Sequence, residues 1–179
     1  MGRRAFSWIA ILFILTFFCV SVAQAAEYPF TDGFETGSFT PNWVSQSSSS
    51  YSRSVTNTTS ASGTYSLTQS GGFSSHYNGL AATFATGQRP DTISFAVRSA
   101  TTSLAAAYFV LRSGSNNVLF FYMSESGYLY FNNSSYATRT YSANTWYRIK
   151  LVPNWTTYTA SMYVNGTLAY SNVPFLSQN

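Results

Sequence analysis

The sequence has almost no cysteine or histidine. Its one cysteine, Cys19, lies in an apolar N-terminal run, and its one histidine is His76. Beyond that run the chain has no thiol for a disulfide, and transition-metal sites built from cysteine and histidine are not expected. The remaining chain of about 150 residues must therefore be stabilised by its own hydrophobic core, and its length favours a single domain.

Charged residues are also few, at 8% of the sequence. After the N-terminal run, seven basic residues stand against five acidic ones, and the basic residues are scattered along the chain. Nucleic-acid binding needs a clustered basic surface, so it is not expected. Serine, threonine, asparagine and glycine are abundant instead. Because these residues disfavour helix, the composition favours a β-protein.

The N-terminal segment has the pattern of a secretory signal peptide. Arg3 and Arg4 precede an apolar run over residues 6–22, and Ala23-Gln24-Ala25 supplies the small residues of a cleavage site. We predict a signal peptide at residues 1–25, with an uncleaved membrane anchor as the alternative. The mature protein is then expected to be secreted or at the cell surface, without a membrane segment.

Residues 26–179 are predicted to form one β-sandwich domain. Short segments rich in β-branched and aromatic residues recur between turn clusters, which indicates an antiparallel sandwich or barrel, and no sustained helical spacing is present. The clearest segments are 92–98, 106–112, 118–123, 128–132, 146–152 and 158–164, with weaker ones at 52–55, 65–69 and 80–84.

Asn165-Gly166 is the strongest hairpin signal, and it predicts a returning strand over residues 167–170. Because side chains alternate along a strand, Ile149 and Leu151 are expected on the core face of the hairpin. The opposite face mixes aromatic and hydrogen-bonding groups, which would hold a sugar or meet solvent. Its members are Trp146, Arg148, Lys150, Thr159, Ser161 and Tyr163.

Three motifs together resemble the concanavalin A-like lectin/glucanase superfamily, in particular its laminin-G-like jelly-roll domains. They are DGFETG at 32–37 followed by Trp43, ASGTYSL at 61–67, and NTWYRI at 144–149 leading to YVNG at 163–166. The resemblance covers about residues 28–175 and implies a jelly roll whose first strand begins near Asp32. Domains of this kind usually close with a further strand after the Asn-Gly hairpin, so we expect the domain to be truncated at its C-terminus.

Asp32 and Glu35 are the closest acidic pair in the chain. Glycoside hydrolases need two carboxylates that face one sugar, whereas a spacing of three places this pair on opposite faces of a regular strand. His76 has no Gly-x-Ser-x-Gly nucleophile elbow to serve. We therefore predict no catalytic residues and no enzymatic activity.

The same two acids are the best candidate ligands for calcium. Calcium accepts carboxylate, amide and backbone oxygens, so a site does not need a dense acidic motif. The resemblance also implies calcium, because the family often carries a structural ion near the edges of its sheets. The alternative is that Asp32 and Glu35 cap a turn and pair with backbone groups or arginine.

Aromatic residues supply the other candidate site. Sugar rings pack on aromatic rings through their C–H faces, and tyrosine and tryptophan keep a polar group for hydroxyls. Phe95, Phe109 and Phe121 are expected in the core. The candidate ligand-binding residues are Trp146, Arg148, Tyr163 and Trp155, of which Trp155 is either a binding residue or a lid on the core.

The sequence thus predicts a secreted, non-catalytic module that binds carbohydrate or an extracellular protein. One alternative is a fragment of a glycan-active hydrolase or lyase whose catalytic residues lie outside this chain. Another is a structural or adhesion module that acts through protein contacts.

Overall fold

The computed structural model describes residues 25–26, 28–46, 51–71, 79–132 and 139–178. The predicted signal peptide, apart from Ala25, and His76 lie outside these residues. The described part of the chain forms antiparallel strands and has no helix that could cross a membrane. The strands are β1 (Val44–Ser45), β2 (Tyr51–Thr56), β3 (Ser66–Gly71), β4 (Leu80–Ala81), β5 (Ile93–Val97), β6 (Ala106–Ser113), β7 (Asn116–Met123), β8 (Leu129–Phe131), β9 (Tyr147–Asn154), β10 (Thr159–Val164) and β11 (Thr167–Pro174).

Strands β2 to β11 all overlap segments that the sequence predicts. The exception is β1, which pairs with β4 through only two residues. Two residues are too few to show an alternating pattern, so this strand has no sequence signal.

Two sheets face each other across the core. One has the strand order β11-β10-β9-β5 and the other the order β6-β7-β8. Phe95 of the first sheet stacks on Phe109 of the second with ring centroids 4.5 Å apart, and it lies 5.5 Å from the ring of Phe121. The fold is therefore all-β and sandwich-like, and the three phenylalanines lie in or against the core as expected.

Alternation along the central strands builds this core. On β7, Leu119, Phe121 and Met123 are fully buried, and on β9 the predicted core residues Ile149 and Leu151 are buried as well. The other large buried side chains come from neighbouring strands and from segments that close the ends of the sandwich. They are Val118, Leu129, Phe131, Tyr141, Met162, Tyr170 and Phe175.

The predicted Asn-Gly hairpin joins β10 to β11. Asn165 and Gly166 have φ values of 49° and 83°, and Val164 is opposite Thr167. Two consecutive residues with positive φ give the turn whose twist matches that of paired strands. Asn165 also accepts a hydrogen bond from the Arg148 N–H at 2.8 Å and donates its own N–H to the Arg148 carbonyl at 2.8 Å. The turn is thereby tied to β9.

Asn132 connects the ends of the two sheets. It is buried, its Oδ1 accepts the Phe120 N–H at 2.8 Å, and its Nδ2 donates to the Pro174 carbonyl at 2.8 Å. Burying an amide is favourable only when its polar atoms are paired, and here both are. Asn132 therefore stabilises the contact between β7 and the end of β11.

The segment that the resemblance identifies as a first strand is not one. Residues 28–43 form turns, with φ values of 62° at Phe34 and 74° at Gly37. Their aromatic rings pack separately from the main core, with Phe30 5.3 Å from Trp43 and 5.4 Å from Phe84. Local capping by Asp32, which accepts the Phe34 N–H at 2.7 Å, competes with strand pairing at this position.

Replacing Phe121 by alanine tests the core. We expect Phe121→Ala to lower the free energy of unfolding by about 3–5 kcal/mol, because a fully buried ring leaves a cavity. Urea unfolding followed by circular dichroism measures this loss. Phe120→Ala, on the opposite face of the same strand, is the matched control and should cost clearly less; equal losses would contradict the assignment of faces.

Candidate functional site

A row of three tyrosines crosses the outer face of the three-stranded sheet. Tyr108 lies on β6, Tyr122 on β7 and Tyr130 on β8. The ring centroids of Tyr108 and Tyr122 are 5.3 Å apart with an interplanar angle of 7°, and those of Tyr122 and Tyr130 are 5.1 Å apart at 16°. We call these three residues the tyrosine row. Phe120 flanks it, with its ring centroid 5.6 Å from that of Tyr122.

Strand geometry produces this row from the same alternation that builds the core. Phe121 and Met123 point inward, so Phe120 and Tyr122 point outward. Tyr122 lies opposite Tyr130 in the register of β7 and β8. On β6 a register irregularity near Ala107, which has a φ of 52°, precedes Tyr108. Phe109 is then opposite Phe121, which brings Tyr108 beside Tyr122.

The rings stand on the sheet and stack against one another. A separation close to the spacing between strands, with near-parallel planes, means that the faces are turned toward neighbouring rings. The surface therefore presents ring edges and hydroxyl groups. Tyr108 is 37% exposed, and Tyr122 and Tyr130 are half-buried. Among the described residues, Tyr130 meets an aromatic ring only on its Tyr122 side.

Two phenols of the row, Tyr108 and Tyr122, have a raised pKa and are held in their neutral form. Partial burial raises the pKa of Tyr108 and of Tyr122, and the negative charge of Glu125 raises both further. For Tyr122, the neighbouring phenols of Tyr130 and Tyr108 add to the increase in pKa. A neutral phenol both donates and accepts hydrogen bonds, so the row combines an apolar body with bifunctional polar tips.

Sequence reasoning missed the tyrosine row, although a signal for it was present. The predicted strand at 118–123 is apolar at every position, so its core face is not evident from hydrophobicity alone. Strand parity nevertheless separates Phe120 and Tyr122 from Phe121. Tyr122 carries a hydroxyl group, which is more easily placed where it reaches water. The hydroxyl therefore indicates that Phe120 and Tyr122 form the outward set.

Trp146 and Arg148, two predicted ligand-binding residues, contact the loop between β2 and β3. The Trp146 indole N–H donates to Thr59 Oγ1 at 3.1 Å, and the Arg148 guanidinium donates to the Ala61 carbonyl at 3.2 Å. The two side chains lie on the predicted outer face, but in this structure they hold a neighbouring segment of the chain.

The other two predicted residues do not join them. Trp155 donates its indole N–H to the Pro90 carbonyl at 3.0 Å, and its ring centroid lies 5.1 Å from that of Phe175. It therefore packs against the edge of the core and also lines a shallow surface depression. Tyr163 is half-buried, with the Lys150 ammonium 5.6 Å from its ring centroid.

The Asp32 carboxylate organises its own turn. One oxygen accepts the Phe34 N–H, and the other accepts the Trp43 indole N–H at 2.9 Å and the Asn42 amide at 3.2 Å. Three donors from two parts of the turn region converge on this carboxylate. Asp32 thus acts as a capping group in this structure.

The Glu35 carboxylate reaches a different partner. It accepts the Thr64 N–H at 3.0 Å and the Tyr65 N–H at 3.1 Å, so it caps the start of β3. Gly63 has a φ of 69°, and an added Cβ there would collide with the carboxylate. The position therefore needs glycine both for its backbone conformation and for space.

Asp32 and Glu35 thus contact separate segments of the chain. No group of three or more histidine, cysteine, aspartate or glutamate side chains comes together among the described residues. Calcium needs several oxygen ligands, and here each carboxylate already accepts N–H groups that a bound cation would displace. Calcium at Asp32 and Glu35 stays a prediction from sequence.

Comparisons of the chain with protein-family models, with curated proteins and with solved structures found no match.

Replacing Glu35 by glutamine tests its capping role. Glu35→Gln should lower the free energy of unfolding by about 1 kcal/mol, because an amide group offers only one oxygen to the two N–H donors. Urea unfolding measures the change. Glu125→Gln is the matched control, since Glu125 is exposed and accepts no hydrogen bond from the described residues, and it should leave stability unchanged.

The same preparations check the calcium prediction. A calcium ion bound at Asp32 and Glu35 would raise the melting midpoint relative to a sample with chelator, and Glu35→Gln would remove that difference. Identical melting curves for the unaltered protein would eliminate calcium from these residues.

The raised pKa values of Tyr108 and Tyr122 also predict a pH dependence. The folded protein keeps Tyr108 and Tyr122 protonated at pH values where the unfolded chain already loses those protons. The resulting stability is complete below pH 10, the ordinary pKa, and falls as the pH rises above it. Urea midpoints at about pH 9 and about pH 11 measure the decrease. Tyr122→Phe should show a smaller decrease, and an equal one would contradict this assignment.

Proposed function

We propose that this protein is a secreted, non-catalytic module that binds carbohydrate through the tyrosine row. The observation that carries the proposal is the stack of Tyr108, Tyr122 and Tyr130 on the outer face of a sheet. Large aromatic side chains usually fill the core of a sandwich, and a contiguous set that reaches the surface on an outer face is typical of binding surfaces.

The chemistry of the row suits a neutral glycan. Sugar rings carry apolar C–H faces beside hydroxyl groups that donate and accept, and the row offers ring edges beside phenols with the same two abilities. Because the inner faces are stacked on one another, a sugar would contact the row along its edges and hydroxyls. We expect a sugar ring to stack directly only on the face of the Tyr130 ring that points away from Tyr122. Rigid aromatic side chains lose little conformational entropy on binding, which favours affinity.

A binding role is also favoured over catalysis by the placement of the two acids. Asp32 and Glu35 accept hydrogen bonds from different segments, so the pair does not face a common cleft. We propose that the fold belongs to the concanavalin A-like jelly-roll class, and the sandwich-like sheets and the Asn-Gly hairpin support this proposal. The signal-peptide pattern supports secretion.

A protein partner is the second candidate. Tyrosine and phenylalanine are enriched at protein interfaces, and Tyr108 and Phe120 would supply such a patch. The adhesion alternative therefore uses the same surface, and the experiment below separates the two.

Replacing Tyr108 by alanine tests the proposal. The purified protein should be retained on at least one of cellulose, chitin, xylan, mannan and a β-1,3-glucan, and Tyr108→Ala should weaken retention by about tenfold or more. Affinity electrophoresis in gels containing soluble forms of each glycan measures the change. Tyr163→Ala removes a half-buried tyrosine from the opposite sheet and should bind as the unaltered protein does.

Two results would contradict carbohydrate binding by the row. One is a folded protein that is retained on none of these glycans. The other is equal retention of the Tyr108→Ala and Tyr163→Ala variants. Concentration-dependent dimerisation that only Tyr108→Ala abolishes, without glycan retention, would favour the adhesion alternative.

A further inference from the structure

A shallow depression on the four-stranded sheet carries a second set of polar side chains. It lies where the end of β9, the turn after it, the start of β10 and a bulge in β11 meet, and the segment before β5 borders it. The lining residues that matter here are Asp91, Asn154, Trp155, Ser161 and Asn172. The tyrosine row lies on the other sheet, so the two surfaces are separate.

A β-bulge places Asn172 at the depression. Residues 171 and 172 of β11 together face the single residue Ser161 of β10. Asn172 has a φ of 53°, and its N–H donates to Ser161 Oγ at 3.4 Å. Bulges often occur beside binding sites because they redirect a side chain. The Asn172 amide makes no hydrogen bond with the described residues, so both its donor and its acceptor remain for a ligand.

Asp91 supplies a carboxylate without a partner in the described part of the chain. It is exposed and makes neither an ion pair nor a hydrogen bond there. The backbone before it is held at the depression, because the carbonyl of Pro90 accepts the Trp155 indole N–H. Two oxygens on one carboxylate accept from two neighbouring hydroxyls of one ligand.

Asn154 and Ser161 add donors. Asn154 Oδ1 accepts the N–H groups of Thr156 and Thr157 at 3.0 and 3.1 Å, which fixes the side chain and leaves its Nδ2 protons for a ligand. Ser161 Oγ accepts from the Asn172 backbone, so its own proton is available for donation. The Trp155 ring forms an apolar wall between these polar groups, with the Arg89 guanidinium 5.7 Å from its centroid.

We propose that this depression binds one uncharged sugar residue. Sugar hydroxyls both donate and accept, which matches a site with an acceptor carboxylate, an amide that does both, and fixed donors. The apolar wall suits the C–H face of the ring. No basic residue is among the described residues that line the depression, but the Arg89 guanidinium lies 5.7 Å from the Trp155 ring centroid, so the assignment of an uncharged sugar rests on the hydrogen-bonding groups. A single carboxylate is a weak basis for calcium, which binds several oxygen ligands.

Nuclear magnetic resonance titration tests this site. The probes are methyl β-glucoside, methyl α-mannoside, methyl β-galactoside, sodium glucuronate and calcium chloride alone. At least one neutral methyl glycoside should shift the Trp155 indole N–H signal, which is assigned by its loss in Trp155→Phe. Glucuronate should bind no more tightly than the neutral glycosides, because Asp91 in the lining opposes its charge.

Two variants remove the ligand contacts and keep the fold. Asp91→Asn removes an exposed, unpaired charge, and Asn172→Gly removes the amide at a position whose positive φ glycine adopts easily. Each should weaken glycoside binding by about tenfold. Glu125→Gln, in the turn after β7 of the other sheet, should leave the response of the Trp155 signal unchanged.

Several results would overturn the proposal. These are no shift with any neutral glycoside, a shift with calcium chloride alone, or glycoside binding unchanged in both Asp91→Asn and Asn172→Gly. The site does not rest on the tyrosine row. Polysaccharide retention that Tyr108→Ala weakens, with no glycoside effect at Trp155, would leave the row in place and remove the depression.

Discussion

Burial of Phe121 between the two main sheets sets the surface of the protein as well as its core. The ring lies 5.5 Å from Phe95 of the opposite sheet, and this contact fixes which face of β7 points inward. Because side chains alternate, the same choice turns Phe120 and Tyr122 outward. A shift of one residue in β7 would place Tyr122 in the core and Phe121 in solvent. The register of β7 therefore determines both the core and the tyrosine row.

Local sequence patterns predicted the parts of the fold that depend on neighbours in the chain. The Asn165-Gly166 turn and the inward placement of Ile149 and Leu151 follow from turn preferences and alternation. The bulge at Asn172 could not be predicted, since it depends on the pairing of β10 with β11. The contacts of Trp146 and Arg148 with residues 59–61 join positions 87 apart in sequence, and no local pattern encodes such a pair. Arg148 is exposed and Trp146 is half-buried against that loop, whose position over this face the sequence did not predict.

The few charged and indole groups of this chain mostly secure irregular backbone. Asp32 accepts hydrogen bonds within its turn, and Glu35 caps the start of β3. Trp155 donates a hydrogen bond to the carbonyl of Pro90. A chain without disulfides in its described part needs such anchors wherever strands do not pair the backbone. Residue types that suggest an active site in the sequence therefore act here as hydrogen-bond anchors. Asp91 and Glu125 make no hydrogen bond within the described part of the chain, but only Asp91 lies beside Trp155, Ser161 and Asn172, and these surroundings suggest a ligand.

The pairing of β5 with β9 has a consequence for the order of folding. Ile93 is opposite Leu151, and the whole three-stranded sheet lies between them in sequence. Closing so long a loop costs chain entropy before its contacts repay it, so we expect local hairpins to form ahead of it. The tyrosines at 108, 122 and 130 belong to consecutive strands and are expected to assemble early. The depression draws on Asp91 and Asn172, which we expect to come together only after the long-range pair has closed. Partial opening of the β5 edge would therefore dissolve the depression and leave the tyrosines stacked.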